Sequence, residues 1–106
     1  MVPQITADDV KKSIDSKENV ILLDVRTPVE FSRGKIGGSV NLPVDDVAEK
    51  IIGIVPNKNQ KIYVYCLSGL RSDVAVETMI QLDYTNVFSM TSGLLMWRSK
   101  KYSLDL

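Results

Sequence analysis

Short apolar runs alternate with helix-period segments along this 106-residue chain, and that alternation restricts the fold more than any other feature. Strands separated by helices pair in parallel, because a parallel neighbour needs a crossover connection, so the pattern predicts an α/β domain around a mostly parallel sheet flanked by helices. No repeat, low-complexity tract or linker-like stretch interrupts it, which predicts one domain over residues 1–106.

The first helix is predicted from Ala7 to about Lys17. Thr6 stands at its N-cap with Asp9 three residues on, the spacing of a capping box, and Ile5 can staple against Val10. Val20 to Leu23 reads as a strand buried on both faces. Thr27-Pro28-Val29-Glu30 combines a capping threonine, a proline at the first helical position and a box-closing glutamate, so a short helix follows and ends at Gly34. Ser39 to Leu42 reads as a small strand. Val44, Val47, Ala48, Ile51, Ile52 and Val55 then keep helical spacing until Gly53 and Pro56 stop it. Ile62 to Tyr65 is a further strand, Ser72 to Leu82 a helix with Ala75, Val76, Met79, Ile80 and Leu82 inward, Val87-Phe88 a short strand, and Gly93 precedes a last helical turn carrying Leu94, Leu95 and Trp97. Trp97, Met79, Met90 and Met96 read as packing residues, with no metal-binding set.

Two absences narrow the chemistry. The chain has no histidine, which removes the usual general base and metal ligand, and a single cysteine, Cys66, which removes any internal disulfide. Covalent chemistry at Cys66 must be completed by a nucleophile from another molecule. The 13 basic and 13 acidic side chains cancel, which argues against a nucleic-acid partner. No apolar run approaches a membrane span and the first residues lack a secretory layout, so a cytoplasmic protein without a membrane partner is expected.

The chemistry falls on Cys66-Leu67-Ser68-Gly69-Leu70-Arg71-Ser72, between a strand and an amphipathic helix. Reactive groups of such sheets collect beyond the carboxyl ends of the strands. Successive N–H groups in a tight strand-to-helix loop form an anion nest, and Gly69 allows the ring to close. A cysteine at the start of a nest, beside Arg71, would titrate well below an ordinary thiol and act as a nucleophile without a histidine. A small buried hydrophobe is the other role open to a lone cysteine at a strand end. Asp24 and Arg26 follow the end of another strand, which places them either at the rim of the same crevice or in an ion pair that fixes the loop.

With these residues in view the chain resembles a single-domain rhodanese, a sulfurtransferase. Asp24-Val25-Arg26-Thr27-Pro28-Val29-Glu30-Phe31 is similar to the family's Asp-Val-Arg-x-x-x-Glu-Phe motif, residues 34–43 (GKIGGSVNLP) to its Gly-His-Ile-x-Gly-Ala-x-Asn-Ile-Pro stretch, and Gly93 with Trp97 to its Gly-x-x-x-Trp element. Lys35, Ser39 and Ser92 depart from that pattern, standing where histidine, alanine and glycine are common. The resemblance implies a rhodanese-like three-layer fold and a catalytic Cys66 that takes a sulfane sulfur from thiosulfate or a related donor. As a persulfide it would yield that sulfur to cyanide or to a thiol acceptor such as glutathione, thioredoxin or a protein thiol, with no cofactor. Leu67 through Ser72 would hold the persulfide, and Arg71 would orient an anionic donor and help sulfite leave.

Two rivals stand beside this reading. A cysteine-dependent phosphatase or arsenate reductase also sets a thiolate in a nest beside arginine, but its signature has five residues between the two, whereas four separate Cys66 from Arg71. A carrier module that hands persulfide sulfur to a partner protein needs the same loaded cysteine as a free enzyme.

Overall fold

The computed structural model describes residues 1–106 as a five-stranded, wholly parallel sheet between two helical layers. In chain order the elements are β1 (Gln4–Ile5), α1 (Ala7–Asp15), β2 (Ile21–Asp24), α2 (Pro28–Ser32) and β3 (Val40–Asn41). A 3-10 turn (Val44–Asp46) then leads into α3 (Val47–Ile54), β4 (Ile62–Tyr65), α4 (Leu70–Gln81), β5 (Val87–Met90) and α5 (Gly93–Ser99). The strand order β1-β5-β4-β2-β3 puts β4 at the centre, with β2 in register beside it from Ile21 opposite Ile62 to Asp24 opposite Tyr65.

The apolar runs of β2 and β4 serve both faces, since successive side chains alternate across a sheet. Leu23, Ile62, Val64 and Cys66 face a core closed by Val47, Ile51, Ala75, Val76 and Met79 of α3 and α4. Leu22, Tyr63 and Tyr65 face a second core with Val10 of α1 and Leu94 and Trp97 of α5. The centre of the sheet is therefore dry on both sides, and the loop after β4 emerges where the two cores meet.

Several sequence expectations need correction. The first helix ends at Asp15, two residues early, because Lys17 takes a left-handed conformation with φ of 56°. Its cap is one-way: Thr6 Oγ1 accepts the Asp9 N–H at 3.1 Å, with no return bond from the aspartate, whose side chain is a methylene shorter than the glutamate of a capping box. At Thr27 and Glu30 both halves of the box form. The fourth helix starts at Leu70 instead of Ser72, since Gly69, with φ of 107°, makes the turn itself. Ile52, Ile80 and Met96 lie on the surface, and Ala48 is exposed while Leu82 is only half-buried. Strand β5 continues to Met90, where it pairs with the unforeseen β1.

Candidate active site

Cys66 directly follows β4 and is 1% exposed, its side chain in the core beneath α4. The sulfur is nonetheless in a polar setting. Sγ accepts the N–H of Gly69 at 3.1 Å and of Ser72 at 3.4 Å, and the thiol lies 3.7 Å from Ser72 Oγ. Ser72 Oγ donates to the Gly69 carbonyl at 3.1 Å and sits 2.7 Å from the buried Ser89 Oγ of β5, a partner not foreseen from the sequence.

The loop's peptide groups are sorted by direction. The carbonyls of Cys66 and Leu67 accept the N–H groups of Leu94 and Leu95 at 3.0 and 3.1 Å, in the first turn of α5. In a trans peptide the N–H points opposite to the C=O, so the N–H groups of Leu67 and Ser68 face away from α5. Neither of these, nor the N–H of Leu70 or Arg71, has an acceptor within the protein. Four free donors thus belong to the same short loop whose Gly69 and Ser72 donors hold Sγ. This packing leaves no space for a side chain at Gly93, where a Cβ would lie 2.4 Å from the Cys66 carbonyl oxygen and 2.6 Å from that of Leu67.

Arg71 does not stand free beside the sulfur. Its guanidinium makes two bonds to the Glu30 carboxylate, 2.7 Å from Nη1 to Oε1 and 3.0 Å from Nη2 to Oε2. The Arg71 bonds hold the Glu30 carboxyl down at about 2, with help from the Thr27 N–H and hydroxyl, and Glu30 in turn raises Arg71 above its usual value. In the sequence Glu30 was legible only as a helix cap and a motif residue. The signal for its second role is topological: α2 follows β2, the loop follows β4, and β2 and β4 are neighbours, so both open onto one crevice.

Asp24 and Arg26 do not reach the rim. They are 0% and 3% exposed and form an internal ion pair, with 2.6 Å between Arg26 Nη2 and Asp24 Oδ2 and 3.0 Å from Nε to each carboxylate oxygen. Arg26 also donates to the Gly34 carbonyl at 2.7 Å, tying α2's exit to the sheet. Ser68 and Leu70 are exposed, Leu67 and Arg71 partly so, and Gly69 and Ser72 buried. Lys35 stands 4.8 Å over the Phe31 ring.

A family model described as a rhodanese-like domain matches residues 6–100. The chain belongs to that family. A sulfurtransferase of Allochromatium vinosum is 30% identical to this rhodanese-like chain over 97 residues, covering 92% of the chain and 89% of the relative. The Bacillus subtilis protein YrkF, named as a candidate sulfur carrier, is 32% identical over 99 residues, covering 93% of the chain. The chain spans about half of YrkF, 52% of its length. Among solved structures, a rhodanese-related protein from Thermoplasma volcanium superposes with a TM-score of 0.86 at 33% identity, covering 98% of each chain. The expected family and the α/β fold with its parallel sheet are thus both found.

Proposed function

We propose that this rhodanese-like chain transfers sulfane sulfur through a persulfide on Cys66. The observation that carries the reading is the set of unpaired N–H groups of Leu67, Ser68, Leu70 and Arg71 in the loop whose other two donors hold Sγ. Unpaired backbone donors favour an anion, and a terminal persulfide sulfur is a small one that reaches one bond beyond Sγ. Catalysis by such preorganised dipoles needs no proton acceptor, in keeping with a chain that has no histidine.

In the loading step the Cys66 thiolate attacks the outer sulfur of thiosulfate. The new Sγ–S bond forms as the donor's S–S bond breaks, and the electron pair leaves with sulfite. In the unloading step cyanide or an acceptor thiolate attacks the outer sulfur, and Cys66 departs as thiolate. With no second cysteine in the chain, an acceptor thiol must come from another molecule, such as glutathione, thioredoxin or a protein thiol, and leaves as its persulfide. The sulfurtransferase and carrier relatives support this class of chemistry for the family. Whether the loaded chain turns over small donors or serves a partner protein is then a question of rates, and we place it in the cytoplasm, where free thiols are abundant.

The deciding experiment is intact mass after incubation with a sulfane donor. The expected result is a gain of one sulfur atom, removed by cyanide and absent in Cys66→Ser. A folded wild-type protein that gains no sulfur from thiosulfate or from a thiosulfonate, yet hydrolyses an aryl phosphate, would instead place it with the cysteine phosphatases.

A further inference from the structure

Four charged side chains near the loop cancel in two pairs, while Asp73, just beyond it on α4, accepts from Gln4 Nε2 at 3.0 Å. Asp24 is joined to Arg26 in the interior, and Glu30 takes both terminal nitrogens of Arg71, the loop's only basic side chain. The Glu30 carboxylate is itself fixed by Thr27, whose N–H and hydroxyl each reach Oε1 at 3.1 Å. Swinging Arg71 onto an incoming anion would therefore break two charge-assisted bonds and leave the capped carboxylate facing the same anion. What the loop offers outward is apolar: Leu70 is 75% exposed, and Val74, one turn further along α4 on the same side, is 59% exposed.

We propose that Glu30 is a specificity-determining residue: by cancelling Arg71 it withholds from dianionic sulfur donors the attraction that a free arginine would give, and so favours donors of low charge carrying an apolar group. The inference rests on the persulfide reading above and names its substrate class. Glu30 touches none of the reacting atoms. It acts by holding and neutralising Arg71, while the loop N–H groups still receive the single sulfur being transferred. Thiosulfate, with two negative charges, gains little from a neutralised arginine. A thiosulfonate, with one negative charge and an organic group able to lie on Leu70, loses less by that cancellation and adds apolar contact.

The test compares second-order loading of Cys66, read by quenched intact mass, from thiosulfate and from benzenethiosulfonate. Both deliver one terminal sulfur, releasing sulfite and benzenesulfinate respectively. Wild type is expected to load faster from benzenethiosulfonate. Removing one charge roughly 6 Å from a dianion changes its binding about tenfold in water, and from a monoanion about threefold. Glu30→Gln, which keeps a side chain able to close the Thr27 box, is therefore expected to raise thiosulfate loading about tenfold and benzenethiosulfonate loading about threefold, and added salt should erase most of both gains.

Equal thiosulfate rates in wild type and in a folded Glu30→Gln would overturn the proposal. A wild-type measurement decides the matter if that variant does not fold. Thiosulfate loading at a charge-neutral mouth should change by less than about twofold as ionic strength rises from about 10 to 300 mM, whereas an available Arg71 would make it fall several-fold. A steep fall overturns the selector role while leaving the persulfide intact. Failure of wild type to gain sulfur from either donor overturns the persulfide reading itself, and the selector with it.

Discussion

At the scale of single residues the loop after Cys66 is constrained most tightly from outside itself. Ser92 holds φ of 61° at the entry to α5, and its side chain makes no capping bond. A residue with a Cβ is strained in that region, and the strain is not offset here by hydrogen bonding, so Ser92→Gly should raise stability by roughly 0.5–1 kcal/mol in urea denaturation. The next position behaves in the opposite way. Gly93→Ala drives a methyl into the backbone carbonyls of Cys66 and Leu67, atoms that cannot move without rotating the peptides that carry the free N–H groups of Leu67 and Ser68. A loss of about 3 kcal/mol or more is expected, together with slower alkylation of Cys66 by iodoacetamide in whatever fraction stays folded. Gly93 was legible in the sequence as part of a Gly-x-x-x-Trp element. The reason for it was not, because the clash is with a loop more than twenty residues earlier in the chain.

At the scale of elements, α2 and α4 are coupled by Glu30 and Arg71, and that coupling has a pH signature. Glu30 falls from an ordinary 4.5 to about 2 on folding, so its contribution is complete above about 4.5 and disappears as pH drops toward 2. Both side chains are about one-third exposed, and solvent screening limits the effect to about 1 kcal/mol or less. Wild type should therefore exceed Glu30→Gln in stability at pH 6, and the two unfolding midpoints should converge as pH approaches 2. Convergence at pH 5 would show that the carboxylate is not held by Arg71. The elements themselves were largely readable. The Thr27 box, the buried runs of β2 and β4 and the amphipathic α3 and α4 follow from local chemistry. What escaped was non-local: β1 is only Gln4–Ile5 and exists because β5 offers it an edge, Ile52 and Ile80 are exposed because their helices bury a narrower stripe than apolar spacing suggests, and Ser89 reaches Cys66 only through Ser72. Cys66, Gly69, Arg71 and Ser72 could be singled out because they lie within one loop, while Glu30 required knowing which strands are neighbours.

At the scale of the whole molecule, the Asp24–Arg26 pair joins parts that the sheet alone leaves loose. Its carboxylate ends β2, while its guanidinium reaches the Gly34 carbonyl. Lys35, next in sequence, exchanges two backbone bonds with Asp105 at 2.9 and 2.7 Å, and the Trp97 indole N–H donates to the Ser103 carbonyl at 3.0 Å. The last residues are thereby strapped to the segment that Arg26 anchors. Both charges are almost wholly out of water, so removing one partner leaves the other uncompensated. Asp24→Asn should cost about 3–5 kcal/mol in urea denaturation. Desolvation works against the intact pair as well, so replacing both charges costs less than the sum of the single changes. The double variant Asp24→Asn with Arg26→Met should regain more than half of the loss. If the double variant is instead as unstable as the two single variants added together, the two side chains act independently, Arg26 through its bond to the Gly34 carbonyl and Asp24 through the Arg26 backbone N–H that it accepts at 2.9 Å.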